Sequence, residues 1–341
     1  MVIMAKMNVL YPIRPDLPEE YQAAITPAMT RLQQLANVDT SQHPTTKEEW
    51  IQKLPNVQVI VNVGQPWNWD EFLEAAPQLG MVQNAFVGYD NINVDACTQR
   101  GVLVCNVPED MSEAVAQHAL ALILDVSRKV SKVDRSIRAN RRWKPDVDRV
   151  GFELWGKTLG IIGLGNIGGR LAMKCRSAFN MRVLTYDPFL VASGAQRYGA
   201  SLTDLPTLLQ ESDVISVHCF LTRTGSSPTY HLLSTKEFNM MKTTTVIVNT
   251  SRGAVIDEAA MITALTEGTI AGAGLDVFEV EPILADNPLL ELENVVLTAH
   301  QASSAIEARL RTPVSAIENV IRYVQGQRPN FIRNPAALYA T

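Results

Sequence analysis

TLGIIGLGNIGGRLAMKCRSAFNMRVLTYD, running from Thr158 to Asp187, decides how this chain is built. Thr158 to Ile162 is a short apolar run that reads as a buried strand, and Gly169 to Cys175 reads as the first turns of a helix. A glycine triplet between strand and helix has a physical purpose. Gly163 permits the tight turn, Gly165 lets the backbone approach a pyrophosphate, and Gly168 lets the helix pack close to the sheet. Asn166 and Ile167, between the last two glycines, open the helix whose free N–H groups would receive the phosphates.

Arg182 to Tyr186 reads as the second strand, and Asp187 stands nineteen residues past Gly168. A carboxylate there suits a ribose diol and disfavours a 2′-phosphate. Two such charges about 4 Å apart repel by on the order of 4 kcal/mol at intermediate dielectric. No arginine stands in residues 188–193 to relieve that repulsion, so the expected cofactor is NAD rather than NADP.

Short β-type runs alternate with helical stretches on both sides of this motif. Before it, Asn8 to Ile13, Val57 to Val63, Met81 to Asn84 and Val102 to Cys105 read as strands, with helices at Pro18 to Gln34, Trp69 to Ala76 and Val94 to Arg100. From the motif onward, six strands are expected: Leu159 to Ile162, Val183 to Tyr186, Val214 to Val217, Val246 to Asn249, Gly272 to Asp276 and Val295 to Leu297. That pattern predicts a parallel α/β unit followed by a full doubly wound sheet. One long helical stretch, Ser112 to Arg138, connects the two, and a last helix, Ile306 to Val324, would return to the first.

Composition narrows the function classes. A chain of 341 residues with 46% hydrophobic content can fill two cores, and a net charge of −5 gives no electrostatic case for nucleic acid or an anionic membrane. Cys97, Cys105, Cys175 and Cys219 form no close pair, so neither a metal site nor a disulfide framework is expected. No apolar run approaches the roughly 18 residues of a membrane span, and MVIMAKMNVLYPI lacks the pattern of a leader. A soluble, cytoplasmic protein is the expectation.

Three segments downstream of the glycine motif carry the chemistry. Arg252, in NTSRGAVIDEAAM, follows one strand; Asp276 and Glu281, in GLDVFEVEP, follow the next; His300, in TAHQASS, follows the last. The carboxyl ends of strands in a doubly wound sheet face the ligand crevice. An arginine fork there can bind a carboxylate bidentately, and a carboxylate beside an imidazole favours its protonated form, which a general acid for carbonyl reduction requires.

GLGNIG with a following YDP, then NTSRG, GLDVFEVEP and TAH, in that order and spacing, resembles the D-isomer-specific 2-hydroxyacid dehydrogenase family. NAFVGYDNINVDACTQRGVLVCNVP and AVAQHALALIL resemble its substrate-loop segment and connecting helix. The resemblance implies an α/β architecture in which a Rossmann-type cofactor domain, 108–301, is inserted into a smaller flavodoxin-like substrate domain, 1–107 and 302–341. It also implies an NAD-dependent enzyme acting on a small 2-oxo or D-2-hydroxy acid, and a homodimer. Arg252 would bind the substrate carboxylate and polarise the C2 carbonyl, His300 would exchange the proton, and Glu281 would orient His300. Backbone amides around Phe86, Val87 and Gly88 would complete carboxylate binding. Asp276 would contact the nicotinamide carboxamide, and Thr250 and Cys219 would line the cofactor cleft.

Some positions depart from the family pattern. Phe86 replaces a usual glycine, Glu109 and Asp110 stand where small or amide residues are usual, Phe220 replaces a proline, and Ala302 and Ser303 replace glycines. Ser303 could offer the nicotinamide a hydroxyl or cap the last helix. His118 reads as a packed residue rather than a catalytic one, and His218 as structural or cofactor-lining. Arg135, Arg138, Arg141, Arg142 and Lys144 read as a solvated helix end or a subunit contact beside Trp143. An alternative function is an NAD-responsive regulatory protein, as in corepressors that resemble this family. A third, formate oxidation, is disfavoured by Glu281.

Overall fold

In the first sheet, β1 (Asn8–Leu10), β2 (Asn37–Asp39), β3 (Val59–Asn62), β4 (Met81–Asn84) and β5 (Leu103–Cys105) lie in the order β2-β1-β3-β4-β5, every pair parallel. The structure is a computed structural model that describes residues 6–12, 18–41, 44, 46–62, 69–143 and 147–339. Ile13, Val63 and Lys144, and residues 1–5 of the N-terminal segment MVIMAKMNVLYPI, lie outside the described residues.

Alternation along these strands divides the core of the sheet in two. Val9, Val59, Met81 and Leu103 pack on one face with Leu32 and with Ile317 and Val320 of the last helix. Their neighbours Leu10, Ile60, Val82 and Val104 pack on the other with Trp50 and Phe72. A parallel sheet covered on both faces needs apolar residues at consecutive positions, which explains the uninterrupted runs read as strands. The last helix, Ile306–Val324, belongs to this unit, which comprises Met1–Met111 and Ala305–Thr341.

The second unit, Ser112–Ser304, holds β6 (Thr158–Ile162), β7 (Arg182–Tyr186), β8 (Ser201–Leu202), β9 (Val214–Val217), β10 (Val246–Asn249), β11 (Gly272–Leu275) and β12 (Val295–Leu297). They run in the order β12-β11-β10-β9-β6-β7-β8, again all parallel. Strand order reverses between β6 and β9, the place where such sheets open a ligand crevice beyond their carboxyl ends. The two compact units divide at 111/112 and 304/305.

Two local features of this second unit differ from expectation. Seven strands stand where six are expected, because β8 has only two residues, both exposed, and carries no apolar signal. The stretch Ser112 to Arg138 is not one helix but two, Ser112–Arg128 and Val130–Asn140, broken at Lys129 with φ of 57°. Asp125 stabilises the restart by accepting the Ser131 amide at 2.7 Å, a bond that meets an otherwise orphaned N–H.

Candidate active site

Each glycine of the triplet has a distinct environment. Gly163 has φ of +89°, donates its amide to Tyr186 O at 2.9 Å, and leaves no room for a side chain, since a Cβ would lie 2.8 Å from Cys219 N. A Cβ on Gly168 would meet Gly163 O at 2.4 Å, whereas one on Gly165 would meet nothing within 4 Å. Gly163 and Gly168 hold turn, strand and helix together; Gly165 leaves open space at the N-terminus of helix Asn166–Phe179, where no side chain caps the amides. Asp187 is fixed beside this turn, accepting the Leu164 amide at 3.0 Å and the Phe189 amide at 3.1 Å.

Neutral groups line the neighbouring strand ends. Burial pushes the Cys219 thiol up to about 12 and the His218 imidazole down to about 3, so both are uncharged near neutrality. His218 Nε2 lies 2.8 Å from Ser216 Oγ. Among the described residues, His218 Nδ1 and Thr250 Oγ1 are buried polar atoms with no hydrogen-bond partner. Orphans of this kind are costly unless a ligand meets them. Together with the open cradle at Gly165 they fit a dinucleotide.

On the other side of the crevice, β10, β11 and β12 present charge. His300 Nδ1 lies 2.7 Å from Glu281 Oε2, and Glu281 Oε1 accepts the Phe278 amide at 3.0 Å. The bond to Glu281, aided by its charge, outweighs burial and the Arg252 charge and raises the His300 pKa above its ordinary value of 6.5. For Glu281, burial acts upward, but the bonds from His300 and the Phe278 amide and the charges of His300 and Arg252 hold it below the usual carboxylate range. With Nδ1 committed to Glu281, proton exchange with a ligand falls to Nε2.

Arg252 is set by its loop. Asn249 Nδ2 donates to Arg252 O at 2.9 Å, Asn249 Oδ1 accepts the Ser251 amide at 3.0 Å, and Arg252 Nη1 donates to Ser251 O at 2.7 Å. Sequence reading misses the support behind this loop. His231, at φ of 50°, donates its amide to Ala254 O at 2.9 Å, places Nε2 2.7 Å from Glu279 Oε1, and stacks on Tyr230. The signal was present as a histidine and a glutamate on separate loops, with nothing in their spacing to pair them.

In the first unit, the loop at Phe86, Val87 and Gly88 is tied down by its carbonyls. Asn84 Nδ2 donates to Phe86 O (3.2 Å) and Gly88 O (2.6 Å), and Asn106 Nδ2 donates to Val87 O (2.7 Å). Across a trans peptide, a carbonyl and the next N–H point in opposite directions. The Val87 and Gly88 amides are therefore turned away from the two asparagines, and neither donates to another described residue. Arg333 Nε holds Asn106 Oδ1 at 2.7 Å, another partner that sequence reading misses. Phe86 is 41% exposed.

The remaining expected positions are placed as follows. Asp276 is fully buried, and its side chain is bonded to Thr298, Gln301 and Ala302. Ser303 does not cap the last helix, whose N-cap is Ala305 with no side-chain bond. Glu109 and Asp110 line a cavity of about 190 Å³ within the first unit, with Ser315, Glu318 and Asn330.

Comparison with known proteins gives a concordant picture. The profile of the D-isomer specific 2-hydroxyacid dehydrogenase NAD binding domain matches residues 120–302. A glyoxylate reductase of Korarchaeum cryptofilum is 40% identical over 289 residues, covering 84% of this chain and 85% of its own. A D-3-phosphoglycerate dehydrogenase of Archaeoglobus fulgidus is 41% identical over 82% of this chain, but only 52% of its own length is matched. Among solved structures, a glyoxylate reductase from Paecilomyes thermophila superposes with a TM-score of 0.84 at 27% identity, covering 96% of this chain and 98% of the other.

Proposed function

Because the chain belongs to the D-isomer-specific 2-hydroxyacid dehydrogenase family, an oxidoreductase family with an NAD-binding domain, we propose that it transfers a hydride between nicotinamide C4 and C2 of a small 2-oxo or D-2-hydroxy acid. The observation that carries this reading is the His300–Glu281 pair at 2.7 Å, electrostatically coupled to Arg252, on the carboxyl edge of the sheet that holds the glycine turn. Bound NADH supplies the hydride; the chain supplies position, charge and a proton.

In the proposed mechanism, the Arg252 guanidinium holds the acid's carboxylate, a group that the outward-turned Val87 and Gly88 amides also suit as donors. Arg252 also polarises the C2 carbonyl. His300, kept protonated by Glu281, donates from Nε2 to the carbonyl oxygen as it gains charge, and takes that proton back in the oxidative direction. The Asn166, Ile167 and Gly168 amides at the helix terminus would hold the cofactor's phosphates, Asp187 its ribose, and Cys219 and Thr250 would line its cleft. Asp276 and Ser303 would complete the nicotinamide end. Residues 108–301 thus act as the cofactor domain and the flanking segments as the substrate domain.

Small substrates are favoured. Phe86 places a large ring on the acid-binding loop, and relatives named glyoxylate reductase support an unbranched, short 2-oxo acid. Trp143, 88% exposed, supports a contact between two copies in a homodimer. No helix among the described residues is long and apolar enough to cross a membrane, in keeping with a cytoplasmic enzyme. The test is NADH oxidation across 2-oxo acids of graded size, with and without phosphate. Turnover of the short acids is expected; uniform inactivity with intact NADH binding would replace the enzyme by an NAD-responsive binding protein.

A further inference from the structure

His118, on helix Ser112–Arg128, has no part in the proposed reaction, yet its neighbours determine where its proton is. Nε2 lies 3.0 Å from Thr298 Oγ1 and 3.5 Å from Asp276 Oδ1. Thr298 donates its single hydroxyl proton to Asp276 Oδ1 at 2.6 Å, and an ionised carboxylate has no proton to give. Toward His118, both oxygens can only accept. Nε2 therefore carries a hydrogen whether the ring is neutral or charged.

The carboxyl group reached in this way organises the catalytic loop. Asp276 accepts the Gln301 amide at 2.9 Å and the Ala302 amide at 2.8 Å on its side chain, and the His300 amide at 2.7 Å on its main-chain carbonyl. Three successive amides are bonded around one residue, and His300 among them is held at φ of 47°, a conformation that a non-glycine residue keeps only where its surroundings impose it. Burial alone would push Asp276 toward its neutral form; the bond from His118, with those from Thr298 and the two amides, holds the carboxyl below the usual range instead.

We propose that His118 is a positioning residue, whose Nε2–H fixes the Thr298 hydroxyl and the Asp276 carboxylate and thereby holds the His300 loop in the geometry needed for proton transfer. A histidine that only fills space would tolerate phenylalanine without any change in that loop. The proposal rests on His300 as the proton donor, but its first test does not depend on turnover.

That test is amide hydrogen exchange on the full chain without substrate. In H118F and in T298V, the Gln301 and Ala302 amides should exchange at least about tenfold faster than in the wild type. In H118Q, whose side-chain amide can still donate, they should stay within about threefold. In NADH-linked reduction of a 2-oxo acid, H118F and T298V should lose about tenfold in kcat, with KM for NADH within about twofold and H118Q restoring turnover. The double variant should be no worse than either single, since each breaks the same chain of bonds. Native exchange in H118F and T298V, an H118Q as impaired as H118F, or additive losses in the double variant would overturn the role. Should H118F fail to fold, T298V interrogates the same link from another element. A wild type inactive on every 2-oxo acid but with the expected exchange pattern would sink the enzymatic reading and uphold the positioning of the loop.

Discussion

Gly253 approaches the Phe278 peptide so closely that a Cβ would lie 1.9 Å from both its carbonyl carbon and its oxygen. Arg252 precedes that glycine, and Glu281 follows that peptide by three residues, so the contact sets how the two charged side chains stand to each other. Gly253→Ala would force the backbones apart, an overpacking that costs about 1–3 kcal/mol or more. We expect a lower urea midpoint and a loss of turnover greater than any loss of NADH affinity. A native midpoint would show that the two loops have slack.

The Glu281 carboxylate sets the alkaline limb of the reduction rate. Protonated His300 is the acid, so the rate is flat below the folded pKa of His300 and falls above it; because that pKa is raised, the fall comes above 6.5. Glu281→Gln removes the charge and one of the two acceptor oxygens. The limb should move to lower pH, and kcat near neutrality should drop by about 10- to 100-fold. Stability follows the same signs: the His300 share is complete below 6.5 and is lost as pH rises through the raised value. The Glu281 share is present above 4.5 and is lost as pH falls through the lowered value. Melting curves of wild type and variant against pH should converge at both ends.

His300→Ala should lower turnover by about 10²- to 10⁴-fold, the range for a lost general acid. NADH binding, followed by fluorescence, should stay nearly intact. Turnover at the wild-type rate would remove His300 from the chemistry.

Asp187→Ala should relax the cofactor choice, since the carboxylate that repels a 2′-phosphate is gone. The ratio of kcat/KM for NADH over NADPH should fall by at least about tenfold, against a repulsion of on the order of 4 kcal/mol at intermediate dielectric. A wild type that already prefers NADPH would refute the ribose reading.

Features tied to local spacing were legible in the sequence; those built from distant polar pairs were not. The glycine turn, Asp187 and the strand ends carrying Arg252, Glu281 and His300 follow from periodicity and offsets, and the helix Ile306–Val324 ends where its pattern ends. The break at Lys129 has neither glycine nor proline to announce it, and a lysine in a left-handed conformation leaves no composition signal. β2, with a polar residue at each end, and the two-residue β8 are too short for alternation to register. Asn84, Asn106 and Arg333 were missed for another reason. Their role lies in which carbonyls and side chains they turn, and two of them are 227 residues apart.

The loop at Phe86 separates two tasks that side chains usually share. In the proposed reading its carboxylate contacts come from peptide groups, so apart from proline, substitutions at Val87 or Gly88 that keep the backbone leave them in place. The ring of Phe86, half exposed beside them, is free to vary. Selection could therefore retune which acid is accepted, one residue at a time, without passing through a variant that has lost its hold on acids altogether.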